Sequence, residues 1–151
     1  MLDSTRNGSP RAGDTAASRA RKGLLVVGLF VLALYVIEVI NALMLRSLNG
    51  TFGLRPRSPD GILDILTFPL LHANLAHLFS NTLPLIIFGF LVLLSGRRVF
   101  FTTLALSWLV SGVVVWLIGG FNVTVGASGL VFGLFAFLLV RGFFNRNWWQ
   151  I

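Results

Sequence analysis

The stretch HANLAHLFSNTLPLIIFGFLVLL, residues 72–94, decides the fold of this chain, because three of its polar side chains, two imidazoles and an amide, stand where a long apolar run begins. They are His72, His77 and Asn81, spaced five and then four residues apart. Runs of about 20 apolar residues are long enough to cross the hydrocarbon core of a bilayer as helices. The stretch therefore predicts a membrane-spanning helix over about residues 74–94, with its polar residues close to one end.

The composition of the whole chain favours a membrane protein. Of its 151 residues, 56% are hydrophobic and 11% are charged. A soluble domain carries about 25% charged residues, so a single soluble core domain is the losing alternative. Three further apolar runs, over about residues 24–45, 99–118 and 121–140, have the length of a span. We therefore predict an all-α, polytopic membrane helix bundle with four transmembrane helices.

Two segments outside these runs have a different composition. Residues 1–22 are rich in Gly, Ala, Ser and Arg without apolar periodicity, which predicts a disordered basic arm. Residues 23–151 then form the transmembrane domain. The connection over residues 46–71 is long for a loop between packed helices, and such loops are usually functional or disordered. Its segment GILDILTF, residues 61–68, is expected to be partly buried at the membrane interface.

The distribution of charge predicts the orientation and excludes nucleic acid as a partner. The net charge is +7, but the basic residues lie almost wholly in the arm and the short loops, as orientation signals do. With the N-terminus in the cytoplasm, nine Lys and Arg residues lie inside and three lie outside. This favours an integral protein of the plasma membrane with a cytoplasmic N-terminus. The chain has no cysteine, so it has no thiolate metal site.

Three polar side chains are expected at one depth in the bundle. His77 and Asn81 share a helix face, since they are four residues apart. On the fourth predicted helix, which also runs inward from the outside, Ser128 lies roughly 9 Å below Asn122 at 1.5 Å per residue. Polar groups inside a membrane are costly and mark a site by default. The alternative is packing, with the two side chains bonded between helices and serine as a small interfacial residue.

The segment GASGLVFG, residues 126–133, favours serine chemistry. Its glycines, Gly126, Gly129 and Gly133, form a strip that allows another helix to approach. A nucleophilic serine needs an exposed hydroxyl, a base that takes its proton, and donors for the oxyanion. Asn81 and His77 have the required donors. His77 has the chemistry of the base as well, and the residues alone leave both roles open.

The two motifs together resemble those of the rhomboid intramembrane serine proteases. That family has His-x4-His-x3-Asn on its second helix and Gly-x-Ser-Gly on its fourth, and the resemblance covers about residues 24–144. It implies that Ser128 is the nucleophile and that His77 and Asn81 bind the oxyanion, assisted by backbone near Gly126. It implies a structural role for His72 at the helix entrance, and no metal or organic cofactor. We assign structural roles also to Gly129 and Gly133.

The chain departs from the family pattern at two places. Many members carry Trp-Arg in the first loop, where this chain has Leu63 and Asp64. The family's base is a histidine on a sixth helix, whereas the only histidines here are His72 and His77. The chain is thus expected to be either a fragment of a six-helix protease or a shortened relative without activity of its own.

Three functions follow as hypotheses. The first is a rhomboid-type serine endopeptidase that cleaves transmembrane-helix substrates near their outer ends. The second is a non-catalytic rhomboid-like protein that binds transmembrane clients. The third is a fragment of a transporter or channel with a proton path through His77 and Glu38, against which stands the lack of an inverted repeat or interrupted helix pair.

Glu38 is a further buried ionisable residue by sequence position. It lies about 10 Å from the outer end of the first apolar run. An ionised side chain at mid-membrane costs about 2.5–3.5 kcal/mol, so it needs a partner. We expect either a packing role, with Glu38 bonded to Asn41 or to first-loop backbone, or a position close to His77.

Overall fold

Helices make up most of residues 12–144, the part of the chain that a computed structural model describes. The elements in chain order are α1 (Ala12–Leu43), α2 (Ser47–Phe52), α3 (Gly61–Asp64), a short 3-10 turn (Phe68–Leu70), α4 (Leu75–Leu94), α5 (Arg97–Ile118) and α6 (Ser128–Phe144). Within this part the only strand-like pairing is one antiparallel bridge between Leu54 and Thr124. The predicted all-α membrane helix bundle is confirmed.

Three helices have the length and composition of a membrane span. They are the Ala20–Leu43 part of α1, with 24 residues, and α4 and α5, with 20 and 22 residues. The fourth apolar helix, α6, has 17 residues. At 1.5 Å per residue it is about 26 Å long, shorter than the roughly 30 Å hydrocarbon core. A count of four transmembrane helices therefore stays a prediction.

The fourth helix begins later than predicted. The sequence suggested a helix from residue 121, but residues 119–127 are non-helical and α6 begins at Ser128. Two features explain the difference. Thr124 exchanges backbone hydrogen bonds of 2.9 Å with Leu54 of the first loop, so its polar groups have partners outside a helix. Gly126 has a φ of +128°, which no α-helix contains.

The first helix begins earlier than predicted. Residues 12–22 belong to α1, so this part of the predicted disordered arm is helical, and residues 1–11 lie outside the described residues. The segment AGDTAASRARK is rich in alanine and arginine, which are strong helix formers. It is continuous with the apolar helix, so extension adds hydrogen bonds without the cost of a new nucleus.

The bundle core lies between α1, α4 and α6. Helix α4 packs against both α1 and α6, and α5 packs mainly against α6 and less extensively against α4. This core includes deeply buried leucines from all three central helices, namely Leu34, Leu78, Leu85, Leu130 and Leu134. Helices α4 and α6 are therefore held side by side along their length, which brings their N-terminal ends together.

The contact between α5 and α6 depends on two glycines. A β-carbon at Gly129 would collide with the Ser111 side chain, and one at Gly133 would collide with the Ser107 side chain. Small residues let two helix backbones approach closely in a membrane. Gly126, the third glycine of the predicted strip, precedes α6, and its neighbour is the His77 ring and not a serine of α5.

Gly133→Ala is expected to destabilise the bundle by about 1–3 kcal/mol, because the new methyl overpacks the α5–α6 contact. Gly28→Ala on α1 is the control, since no atom lies within 4 Å of its added β-carbon. It should leave stability unchanged or raise it by up to about 1 kcal/mol. Thermal unfolding of the purified protein in detergent measures both. Equal midpoints for the two variants would contradict close packing at Gly133.

The first loop, residues 44–74, folds onto α5. Leu54, Ile65 and Phe68 form a second small core against Val115 and Trp116 of α5. Two indole N–H groups donate to loop carbonyls at 2.9 Å, from Trp108 to Ile65 and from Trp116 to Ser58. Residues 61–68 are thus partly buried, as expected from the sequence.

The two positions that depart from the family's Trp-Arg pair differ in their surroundings. Leu63 is exposed. Asp64 is buried and accepts a hydrogen bond of 3.1 Å from Nε of Arg55. The loop therefore has an ion pair of its own at this place.

Candidate functional site

The N-terminus of α4 fixes the position of His77. Asn74 is the N-cap residue, with extended backbone, and its side-chain oxygen accepts the His77 N–H at 2.8 Å. Such a cap satisfies one of the free N–H groups at a helix start. His77 consequently lies in the first turn of α4, at the end of the bundle where the first loop folds.

The ring of His77 lies against Gly126. A β-carbon on Gly126 would be 2.6 Å from Cε1 and 3.0 Å from Nε2 of His77. The φ of +128° at Gly126 is also disfavoured for any residue with a side chain. The backbone N–H of Gly126 donates to the Phe68 carbonyl at 3.0 Å, which ties this segment to the first loop. Glycine is thus required here both by backbone conformation and by the approach of the imidazole.

His72 is fully buried beside His77 and bonds the same segment. Its Nε2 accepts the backbone N–H of Ala127 at 3.4 Å, and the two imidazole centroids are 5.4 Å apart. Burial lowers the pKa of His72 to about 4, assisted by repulsion from His77 and opposed by the Leu70 backbone. The ring is therefore neutral near pH 7. With Nε2 as acceptor, its proton is on Nδ1.

Asn81 lies one turn below His77 on the same face of α4. Its Nδ2 donates to the His77 carbonyl at 3.1 Å, and the side chain is buried. An amide nitrogen has two hydrogens, so this bond leaves a second donor.

Ser128 is the first residue of α6 and is exposed. The N–H groups of Leu130 and Val131 donate to the Ala127 carbonyl at 3.0 and 3.1 Å, which marks the first turn. The earliest N–H groups of a helix have no intrahelical acceptor, and they favour negative charge. Ser128 thus stands at the N-terminal end of α6, directly after the two residues that contact His72 and His77.

Ser128 is linked to the start of α4 through the two residues that precede it. Gly126 and Ala127 touch the two histidines, and Asn81 is joined to them through the His77 backbone. The depth argument assumed a helix through residues 121–127 and was wrong on that point. The same residues nonetheless lie at one end of the bundle, because the extended segment passes over the start of α4.

A polar cluster behind His72 includes residues that the sequence reasoning missed. Glu38 was expected to bond Asn41 or loop backbone, but its partner is the Arg46 side chain at 2.6 Å. Asn41 instead donates to Asn49 at 2.8 Å. On sequence grounds Arg46 was counted only as an orientation charge. Its place directly after the first apolar run was a usable indication that it could pair with Glu38.

The described residues contain no group of three or more His, Asp or Glu side chains arranged to hold a metal ion. The first two turns of α4 carry an imidazole and a side-chain amide, and α6 begins with a serine. The arrangement defines a class, namely a helical membrane protein with a serine at the mouth of its bundle.

Comparison with known families identifies the class more closely. The sequence matches the rhomboid domain family over residues 59–151. The chain belongs to the rhomboid family. No solved structure matches this sequence.

The similar curated proteins come from mycobacteria and are described only as uncharacterised proteins. Those of Mycobacterium tuberculosis and Mycobacterium bovis are 39% identical over 153 residues, which is 95% of this chain and 63% of each relative. One from Mycobacterium leprae is 41% identical over 128 residues, 81% of this chain and 51% of the relative. This chain thus spans between half and two thirds of the length of these relatives.

Proposed function

We propose that the chain supplies the nucleophile and the oxyanion-binding groups of an intramembrane serine endopeptidase that cleaves transmembrane-helix substrates. The observation that carries the proposal is the packing of His72 and His77 against Gly126 and Ala127, directly before Ser128. Family membership supports a membrane-embedded protein of protease type. The substrate class rests on the family resemblance and on the place of the site at one end of the bundle.

Each residue has a separate role in the proposed reaction. The Ser128 oxygen attacks the scissile carbonyl carbon, its proton goes to a base, and the carbonyl oxygen becomes an oxyanion. The backbone N–H of Ser128, the His77 ring and the free Asn81 donor stabilise that charge. The tetrahedral intermediate collapses to an acyl-enzyme as the leaving amine takes a proton, and water then releases the product.

The proposal assigns the base to a residue outside these 151 positions. His72 is unsuited, because it is buried and its acceptor nitrogen is occupied by the Ala127 N–H. His77 is assigned to the oxyanion because the family resemblance implies that role, and its ring lies against Gly126, two residues before Ser128. The reading frame downstream of Ile151 tests the assignment directly. We expect it to continue through two further apolar spans with a histidine in the second.

The proposal includes an orientation in the plasma membrane. The end of the bundle that carries the site has Arg46, Arg55 and Arg57 in its loop. The opposite end, where Gly23 of α1 meets Leu93 of α4, carries more basic residues, namely Arg21, Lys22, Arg97 and Arg98. Positive charge is concentrated on the cytoplasmic side of membrane proteins. The N-terminus is therefore cytoplasmic, and cleavage occurs towards the outer end of a substrate helix.

The test uses an extended form of the protein, carried to the length of the mycobacterial relatives. The purified extended form is mixed in detergent with a transmembrane-helix substrate, and mass spectrometry detects the products. A fluorophosphonate, which traps nucleophilic serines, should stop cleavage and label Ser128. Absence of both cleavage and labelling would refute the protease. Tight binding of the uncleaved helix would then favour the alternative, a non-catalytic protein that binds transmembrane clients.

Gly126→Ala is expected to lower cleavage by the extended form about tenfold to hundredfold. The added methyl displaces the His77 ring and strains the backbone before Ser128, and misplacement by about 1 Å can cost 10²-fold. Gly120→Ala is the matched control in the same segment, because nothing lies within 4 Å of its added β-carbon. Initial rates measure both variants. Similar rates for the two would show that the Gly126 contact does not position the site.

A further inference from the structure

An ion pair between a buried carboxylate and a partly exposed guanidinium joins α1 to the first loop. Glu38 is 1% exposed, and its Oε1 accepts a hydrogen bond from Nη1 of Arg46 at 2.6 Å. Its second oxygen has no partner among the described protein groups. Well-packed apolar side chains often stabilise a protein as well as a buried pair does, so stability alone is a weak reason for its presence.

The backbone conformation at Leu45 and Arg46 places the Arg46 side chain beside Glu38. Leu45 and Arg46 have φ values of 52° and 66°, in the left-handed region that residues with a side chain rarely adopt. The Arg46 N–H donates to the Asn41 carbonyl at 2.8 Å, which closes the turn after α1. The chain thus reverses here and directs the Arg46 side chain back towards α1. Backbone of this kind clusters at functional sites.

The pair is connected to the candidate site through one carbonyl oxygen. The His72 carbonyl accepts a hydrogen bond from Asn49 at 3.0 Å and a longer one from Arg46 at 3.5 Å. Asn49 is held in turn by Asn41 at 2.8 Å. Two donors from the first loop therefore fix the backbone of the residue whose ring bonds Ala127.

We propose that the Glu38–Arg46 pair is a positioning device for Ser128, acting through the His72 carbonyl and the His72 ring. The pair orients Arg46, and Arg46 and Asn49 hold the His72 backbone. The His72 ring then fixes the Ala127 N–H, and with it the start of α6. This inference rests on the proposed function. It assigns to α1, which carries none of the motif residues, a part in setting the geometry of the site.

Three variants of the extended form separate positioning from stability. Arg46→Gln leaves Glu38 buried without its partner, so it should lower both the unfolding temperature and the cleavage rate. Glu38→Gln should weaken the pair and lower the rate. The double variant Glu38→Gln, Arg46→Gln has no buried charge, and removal of both charged partners can be nearly neutral for stability. It should therefore unfold near the wild-type temperature and still cleave slowly.

The chain offers a matched control pair in the same loop. Arg55 and Asp64 form an ion pair of 3.1 Å, with Asp64 buried, and neither donates to the His72 carbonyl. The double variant Arg55→Gln, Asp64→Asn also replaces a loop ion pair by two amides. It should keep the wild-type kcat within about twofold.

Kinetics distinguish a positioning role from a purely structural one. The Glu38–Arg46 double variant should lose about tenfold to hundredfold in kcat with little change in KM, because misplaced groups weaken mainly the transition state. Wild-type kcat in a stably folded double variant would overturn the inference. So would an equal loss of kcat in the control pair.

A second measurement does not depend on activity. The 151-residue chain has two histidines, so a histidine-labelled sample of this chain and of its variants gives two imidazole spin systems by NMR. The charged and titratable groups around His72 are His77 on α4, Glu38 on α1 and Arg46 before α2. In the wild type we expect one ring to show a hydrogen-bonded Nε2 with its proton on Nδ1. The Glu38–Arg46 double variant should lose that signature, and the control pair should retain it.

The two measurements separate the two possible failures. If the NMR signature changes as expected but no form cleaves substrate, the proposed function fails and the connection from Glu38 to the His72 ring stands. If cleavage depends on Ser128 but the signature survives in the double variant, the connection is refuted and the function stands.

Discussion

Ser128→Ala is expected to reduce cleavage of a transmembrane substrate by the extended form to background, a loss of about 10³-fold or more. The hydroxyl oxygen of Ser128 is the only atom of the proposed site that forms a covalent bond to the substrate, so the oxyanion donors cannot replace it. The exposed place of Ser128 at the first turn of α6 predicts that alanine leaves folding intact. Initial rates with a fluorogenic or mass-tagged substrate measure the loss.

Ser95→Ala provides the control for this result. Ser95 follows the C-terminal end of α4, at the end of the bundle away from the candidate site. This variant should cleave at the wild-type rate and take up the fluorophosphonate as the wild type does. Cleavage that persisted in Ser128→Ala would assign the nucleophile to another group, and the proposed function would fall with it.

The 151-residue chain alone is expected to cleave substrate about 10²–10⁴-fold more slowly than the extended form. General-base assistance contributes a factor of that size. Within the chain, the acceptor nitrogen of His72 is occupied by Ala127, and His77 is assigned to the oxyanion. Side-by-side assays at equal protein concentration measure the ratio, and the fluorophosphonate should label the short chain correspondingly slowly.

Fast cleavage by the short chain would contradict this assignment. If that activity disappeared in both Ser128→Ala and His77→Ala, His77 would be the base, which the residues alone had left open. His72→Ala is a poor discriminator, because loss of a fully buried ring disturbs packing as well as chemistry.

The apolar helices were predictable because hydropathy and length decide them. The spans expected over residues 74–94 and 99–118 are α4 and α5, with boundaries shifted by one or two residues. The same physical rule failed at α6. There, pairing of Thr124 with Leu54 and the positive φ of Gly126 keep residues 121–127 out of the helix. Thr124 bonds Leu54 and Gly126 bonds Phe68, and no local sequence pattern contains partners so far apart in the chain.

The sequence proposes residues for the candidate site but does not indicate the contacts that support them. The histidine, asparagine and serine motifs were visible in the sequence, and the structure brings their segments into contact at Gly126 and Ala127. The partner of Glu38 was not visible. It depends on the left-handed turn at Leu45 and Arg46, and leucine and arginine rarely adopt that conformation, so the sequence does not predict it.

The tryptophans of α5 impose an order on the biogenesis of this protein. Trp108 and Trp116 hold carbonyls that precede them by 43 and 58 residues. At a synthesis rate of about 5–20 residues per second, Ser58 leaves the ribosome roughly 3–12 s before its indole partner. Until α5 inserts, the first loop lacks the surface that buries Ile65 and Phe68. The segment before Ser128, which bonds this loop at Phe68 and His72, therefore reaches its final place only after α5 is inserted.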